Sequence, residues 1–281
     1  LFSGGHWDGS LRVTALPRGK LLSQLSCHLD VVTCLALDTC GIYLISGSRD
    51  TTCMVWRLLH QGGLSVGLAP KPVQVLYGHG AAVSCVAIST ELDMAVSGSE
   101  DGTVIIHTVR RGQFVAALRP LGATFPGPIF HLALGSEGQI VVQSSAWERP
   151  GAQVTYSLHL YSVNGKLRAS LPLAEQPTAL TVTEDFVLLG TAQCALHILQ
   201  LNTLLPAAPP LPMKVAIRSV AVTKERSHVL VGLEDGKLIV VVAGQPSEVR
   251  SSQFARKLWR SSRRISQVSS GETEYNPTEA R

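Results

Sequence analysis

The stretch Tyr43-Leu44-Ile45-Ser46-Gly47-Ser48-Arg49-Asp50-Thr51-Thr52-Cys53-Met54-Val55-Trp56 decides the fold. It runs from an apolar strand through small residues and a tight acidic turn into a second apolar strand, which is how a β-hairpin reads. The same order of residue types returns at Ala95-Val96-Ser97-Gly98-Ser99-Glu100-Asp101-Gly102, leading into Thr103 to His107. It returns again at Val229-Leu230-Val231-Gly232-Leu233-Glu234-Asp235-Gly236, leading into Lys237 to Val241. Weaker copies are Gly5-His6-Trp7-Asp8-Gly9 and Leu189-Gly190-Thr191-Ala192-Gln193, each followed by an apolar strand. The turn residues Asp8, Asp50, Asp101, Gln193 and Asp235 lie 42, 51, 92 and 42 positions apart. The long interval is two periods, so a degenerate copy is expected inside it. Gln139 to Gln143 and Leu158 to Ser162 supply that copy, split by an insertion at about 144–155.

A matching strand precedes each hairpin, as in Val32 to Leu37, Val83 to Ile88, Ile129 to Leu134, Thr178 to Val182 and Ile217 to Val222. Before several of these lies a fourth, at Lys20–Leu25, Val73–Leu76, Gln113–Leu118 and Lys166–Leu171. Four short strands every ~40–50 residues is the period of a propeller blade. The fold class read from this is all-β, a β-propeller over residues 1–243 with about five and a half blades of an expected seven. The first unit (about 2–25) and the last (217–243) supply three strands each. Because the chain opens inside a repeat, it is read as a piece of a larger protein, with exposed sheet edges at either end. Leu58 to Pro72 reads as a loop. The Pro-rich run Leu204 to Pro212 stands where a fourth strand is due and reads as a connection, with a polyproline ligand as the alternative.

Composition agrees with a packed core. Apolar residues make up 45% of the 281 and charged residues 16%, against roughly 25% charged in an average domain. No apolar run approaches the ~18 residues of a membrane-spanning helix. The cysteines Cys27, Cys34, Cys40, Cys53, Cys85 and Cys194 show no C-x-x-C spacing and sit mostly in apolar strands. They read as reduced, buried thiols, with no metal and no cofactor expected. Of the net charge of +4, a surplus of three falls after Gly244, where seven Lys/Arg face four Asp/Glu. The body is near neutral, and nucleic acid is a poor partner for it.

Gly78-His79, Ser97-Gly98-Ser99, Asp101 and a strand residue six places later resemble the WD-repeat pattern. That resemblance implies a hydrogen-bonded set within a blade. The candidate sets are His28, Ser46, Asp50 and Trp56, then His79, Ser97 and Asp101 with His107 in place of Trp, and Asp235 in the last unit. A buried carboxylate has to find donors or it costs several kcal/mol. Ser, His and Asp also suggest a hydrolase triad, but these serines sit mid-strand rather than on a G-x-S-x-G elbow, and the set recurs by repeat. No catalytic residue is assigned.

Glu91-Leu92-Asp93-Met94-Ala95-Val96-Ser97-Gly98 and Tyr161-Ser162-Val163-Asn164-Gly165-Lys166-Leu167 resemble the C-terminal propeller of BEACH-domain proteins of the neurobeachin branch. The resemblance covers essentially the whole chain. It implies a non-enzymatic scaffold in membrane trafficking and in vesicle or secretory-granule biogenesis, cytoplasmic and peripherally attached to endomembranes such as the endoplasmic reticulum. Its implied partners are cargo tails or trafficking factors and the BEACH module of the parent chain. The rival reading is a substrate receptor of a ubiquitin ligase.

A scaffold works through loops on a rigid frame. The turns joining second and third strands, together with the loops between blades, would present Trp7, Arg49, Glu100, Phe125, Trp147, Glu148, Arg149 and Glu234 on one face. Exposed Trp and Arg suit an interaction surface, while Trp7 and Trp147 packed over the blade tops is the alternative. Beyond Gly244, the bases Arg250, Arg256, Lys257, Arg260, Arg263 and Arg264 interleave with Phe254, Leu258, Trp259, Ile265 and Val268. Residues 244–270 therefore read as a basic amphipathic segment, for an anionic membrane, a partner groove or the propeller's underside. Ser266 follows Arg263-Arg264-Ile265 and resembles a basophilic-kinase site, whose phosphate would oppose membrane attraction. Residues 271–281 read as a disordered tail.

Overall fold

A computed structural model of the protein describes residues 1–15, 19–62, 64–120, 125–149, 153–223 and 225–242. Among these residues the regular structure is all strand. The first sheet holds β1 (Phe2–Ser3), β2 (Leu11–Ala15) and β3 (Lys20–Leu25). The second holds β4 (Val32–Leu37), β5 (Tyr43–Ser48), β6 (Cys53–Gln61), β7 (Leu64–Leu68) and β8 (Gln74–Leu76). The third runs β9 (Val83–Ser89), β10 (Met94–Ser99), β11 (Val104–Thr108) and β12 (Phe114–Leu118). The fourth is β13 (Phe125–Leu134), β14 (Ile140–Trp147), β15 (Thr155–Tyr161) and β16 (Leu167–Leu173). The fifth is β17 (Pro177–Val182), β18 (Phe186–Thr191), β19 (Ala195–Gln200) and β20 (Pro206–Pro212). The last has β21 (Ile217–Val222), β22 (His228–Leu233) and β23 (Leu238–Val242). Every pairing is antiparallel between neighbours in sequence, apart from β8, which pairs β6 past the β7 hairpin.

The sheets stack face to face, with one apolar cluster at each seam. Leu11 and Val13 of the first sheet meet Leu44 and Trp56 of the second, and Ile45 and Val55 then meet Val83 and Val86. Val96 and Val104 meet Ile129 and Ile140, Val141 and Leu158 meet Val187 and Leu199, and Leu188 and Leu196 meet Ile217 and Val231. This explains why the second strand of each blade is apolar without alternation. β10 and β18 are buried along their whole length, being covered on both faces. The outer strand β16 alternates, because one of its faces meets water.

Two devices repeat at the seams. Thr33 and Ser84, each the second residue of an inner strand, donate to the carbonyls of Val83 and Ile129, which lie in the next blade's inner strand. The glycine of the Ser-Gly-Ser step lets the blades close: a Cβ on Gly98 would lie 2.7 Å from Cys85 Sγ and 2.8 Å from Ile129 Cγ2. At the foot of the second and third blades, the buried Asp38 accepts from the Thr90 backbone N–H at 3.0 Å and from its hydroxyl at 2.6 Å.

Four sequence expectations are corrected. Leu58 to Pro72 is largely an extension of β6 paired with β7, since Leu58 registers with Leu68 and Leu59 with Gly67. The insertion in the fourth blade lengthens β14 and β15, which pair as far as Ala146↔Thr155. Phe125 lies in β13, registered with Trp147, rather than on a loop tip. The Pro-rich run forms β20, the fourth strand of its blade, because Leu211 reaches into the seam core and holds it there.

Candidate interaction face

In the second blade the expected set closes into one chain of bonds. The indole Nε1–H of Trp56 can only donate, and it donates to Ser46 Oγ at 2.9 Å. Ser46 then passes its own hydrogen to His28 Nε2 at 2.8 Å. That leaves the proton of His28 on Nδ1, where it donates to Asp50 Oδ2 at 2.9 Å. The carboxylate also accepts from the Leu29 N–H and the Thr52 N–H, each at 2.9 Å, and from the Thr52 hydroxyl at 2.6 Å. Burial pushes the Asp50 carboxyl up, but these bonds outweigh it and hold the pKa below the usual value. The set therefore fastens the loop at 28–30 to the turn at 50–52.

The third blade closes less completely. His79 Nε2 meets Ser97 Oγ at 2.8 Å, but Nδ1 reaches Thr103 Oγ1 at 3.1 Å, and it is Thr103 that donates to Asp101. His107 is too short to reach Ser97. Its Nε2 meets the Tyr77 carbonyl at 3.0 Å, and its buried Nδ1 has no partner. Asp235 is a turn residue only, bonded to the backbone and Nζ of Lys237 at 3.1 and 2.9 Å, and no histidine joins it. The fourth blade holds a set that sequence reasoning missed. Buried His159 bonds Ser144 at 2.9 Å and Ser170 at 3.0 Å. Its legible sign was a histidine between Leu158 and Leu160, but its serine partners come from the pairing of β15 with β14 on one side and β16 on the other.

Ser46, His28 and Asp50 are connected as a hydrolase triad would be, yet Ser46 has no exposed surface and already accepts the Trp56 N–H. A nucleophile so enclosed cannot meet a substrate. The cavity at the seam of the third and fourth blades, lined by Ser144, Ser157 and His159, measures about 80 Å³, far below the ~300 Å³ of a small-ligand pocket. Among the described residues no group of three or more His, Cys, Asp or Glu is placed to hold a metal ion.

Burial lowers the pKa of His79, His107, His131 and His159 from the ordinary 6.5. The folded chain therefore binds fewer protons than the unfolded one below that value, and stability is lost as pH falls through it. Asp50 and Asp101, both held below 3.8, add a second loss at lower pH. The melting temperature is expected to stay level from pH 8 to 7 and to fall steadily from about pH 6.5 towards 5. A flat profile over that window would contradict the buried histidines.

The upper turns carry the named surface residues. Trp7, in the β1–β2 turn, is 94% exposed, and so is Leu29, which sequence reasoning did not single out. A Cβ on Gly9 would stand 3.0 Å from both the His28 and Asp30 carbonyls, so the Trp7 turn rests on the Leu29 loop. Leu29 is in turn held by its N–H on Asp50. Arg49 is exposed beside them, its N–H on the Val31 carbonyl at 3.0 Å. Glu100, Glu148 and Arg149 are exposed in their turns. Glu234 is also exposed and pairs with Arg218. Trp147 is half-buried, its ring so close over Gly127 that a Cβ there would come within 2.6 Å. It packs on its own blade. The tail residues Arg250, Arg256, Lys257, Trp259, Arg260, Arg263, Arg264 and Ser266, and the segments 244–270 and 271–281, lie outside the described residues.

Antiparallel four-stranded blades, stacked by seam clusters and latched by a His-Ser-Trp-Asp set, define a WD40-type β-propeller. Residues 1–251 match the neurobeachin beta propeller domain. The chain belongs to that family, the WD40 region of BEACH-domain-containing proteins. It is 31% identical over 269 residues to BEACH domain-containing protein B of Arabidopsis thaliana, a match covering 90% of this chain and 10% of that protein. It is 27% identical to a putative neurobeachin homolog of Caenorhabditis elegans, over 85% of this chain and 10% of that one. BEACH domain-containing protein lvsE of Dictyostelium discoideum is 24% identical, with 86% and 11% covered. The chain thus spans about a tenth of the length of these relatives. The computationally designed Ika8 protein superposes with a TM-score of 0.62 at 22% identity, over 88% of this chain and 70% of that one, a likeness of fold alone.

Proposed function

We propose that the chain is a non-enzymatic interaction scaffold of a BEACH-family protein in membrane trafficking and vesicle or secretory-granule biogenesis, acting on the cytoplasmic side of endomembranes. Within the family, the closing residues Gly271-Glu272-Thr273-Glu274-Tyr275-Asn276-Pro277 favour the neurobeachin-like members and are similar to neurobeachin-like protein 2. The partners are cargo tails or trafficking factors, alongside the BEACH module of the parent chain, and the basic residues around Trp259 are the part suited to an anionic membrane.

The observation that carries the reading is the Trp7–Leu29 pair. Two large apolar side chains in water, on adjoining turns above the bonded latch of the second blade, suit an anchor for a partner's apolar residue. Trp7→Ser together with Leu29→Ser in the full-length parent protein is expected to weaken recovery of endomembrane trafficking proteins by about 30-fold, the size of a binding hot spot. The melting temperature should stay in place, because neither side chain is buried. An unchanged partner set would overturn this face as the binding site.

A further inference from the structure

The outer strand of the fifth blade has an unusual chemistry. Four of the seven residues of β20 are proline: Pro206, Pro209, Pro210 and Pro212. All four are exposed, whereas Leu211 between them is 3% exposed and ties the strand to the blade core. β20 ends its sheet, paired to β19 on one side only among the described residues. A free strand edge ordinarily recruits partners by extending the ladder, which needs outward N–H donors. Proline has none, so this edge offers mainly carbonyl acceptors and ring faces.

The rings also set the backbone. Proline holds φ near −65°, the polyproline-II value, far from the roughly −140° of antiparallel strands. The ladder shows the conflict, for its register shifts twice, between Leu196 and Ile198 and again between Ile198 and Leu199. Three steps of β20, from Leu211 back to Ala208, span the two steps of β19 from Leu196 to Ile198, so Pro209 and Pro210 together oppose His197 and the strand bulges there by one residue. Lys214 follows two residues after Pro212 and is exposed.

We propose that the exposed prolines of β20, with Lys214, form a docking ligand for an SH3-type domain, whose aromatic groove takes the rings of Pro209 and Pro212 and whose flanking carboxylates take the lysine. An aromatic groove reads proline rings and supplies donors to carbonyls, which is what this edge lacks. A strand already held extended by Leu211 loses little entropy on docking. The lysine supplies the charge that complements an acidic flank.

The test is retention of the purified full chain on an array of immobilised SH3 and WW domains, with affinities then measured by calorimetry. At least one SH3 domain should retain the chain. Pro209→Ala with Pro212→Ala should abolish that binding while leaving the melting curve in place, and Lys214→Glu should weaken it about three- to tenfold, as a rim charge does. Trp7→Ser with Leu29→Ser should leave it unchanged, which separates this site from the upper face. Retention by WW domains alone, or SH3 binding to an isolated 204–215 peptide but not to the folded chain, would overturn the proposal. So would binding indifferent to the proline substitutions.

Discussion

Asp50→Ala is expected to lower the stability of the protein by about 3 kcal/mol, read as a lower urea midpoint at unchanged m-value. The size follows from what the carboxylate satisfies. Four donors converge on it: the Leu29 and Thr52 N–H groups, the Thr52 hydroxyl and the His28 ring. The side chain of His28 is 1% exposed, so its Nδ1–H would lose its acceptor where water cannot replace it. The loss travels on, because His28 sets the hydroxyl of Ser46, which in turn receives Trp56. Asp101→Ala should cost less, by roughly 1 kcal/mol, since Thr103 stands between that carboxylate and its histidine. Equal effects from the two substitutions, or none from Asp50→Ala, would sink the latch as a source of stability. Because Leu29 hangs from Asp50, the same variant should also weaken partner binding at the upper face.

Gly98→Val should destabilise by about 3 kcal/mol, the upper part of the range for overpacking a filled core. Its first added atom already lies 2.7 Å from a sulfur and 2.8 Å from an isoleucine methyl of the next blade. Neither neighbour can retreat. Cys85 is packed in β9 and Ile129 has no exposed surface, being part of the same seam cluster. The third and fourth blades must therefore part, and amide hydrogen exchange should rise in β9, β10 and β13 before it rises elsewhere. Gly67→Val is the control, because a Cβ on Gly67 meets nothing within 4 Å. If both valines cost the same, the effect belongs to strand glycines in general and not to the seam.

Sequence reasoning reached the blades because their evidence is local. An apolar strand, an acidic turn and a second apolar strand recur whatever the neighbours do, and the period alone calls for stacking. The latch at His28, Ser46, Asp50 and Trp56 was legible for the same reason, being carried by residue types at fixed offsets. It failed where an offset held but the side chain changed. His107 occupies the Trp position and turns to Tyr77, and Asp235 has the turn but no histidine to serve.

Composition misled at β20, where four prolines read as a connection although Leu211, with Ala207 and Ala208, gives the strand a reason to pair. Trp147, open from sequence to either exposure or packing, is half-buried, and Leu29, not singled out, is exposed, both for one reason. How much of a side chain meets water depends on which backbone approaches it, and Gly127 approaches Trp147 while nothing covers Leu29. The amino-acid order by itself determined the repeat, the strands and the residues of the latch. Register and the contacts between blades decided which serine answers His159, which glycine cannot grow and which apolar residues face solvent, because those depend on distances between segments far apart in the chain.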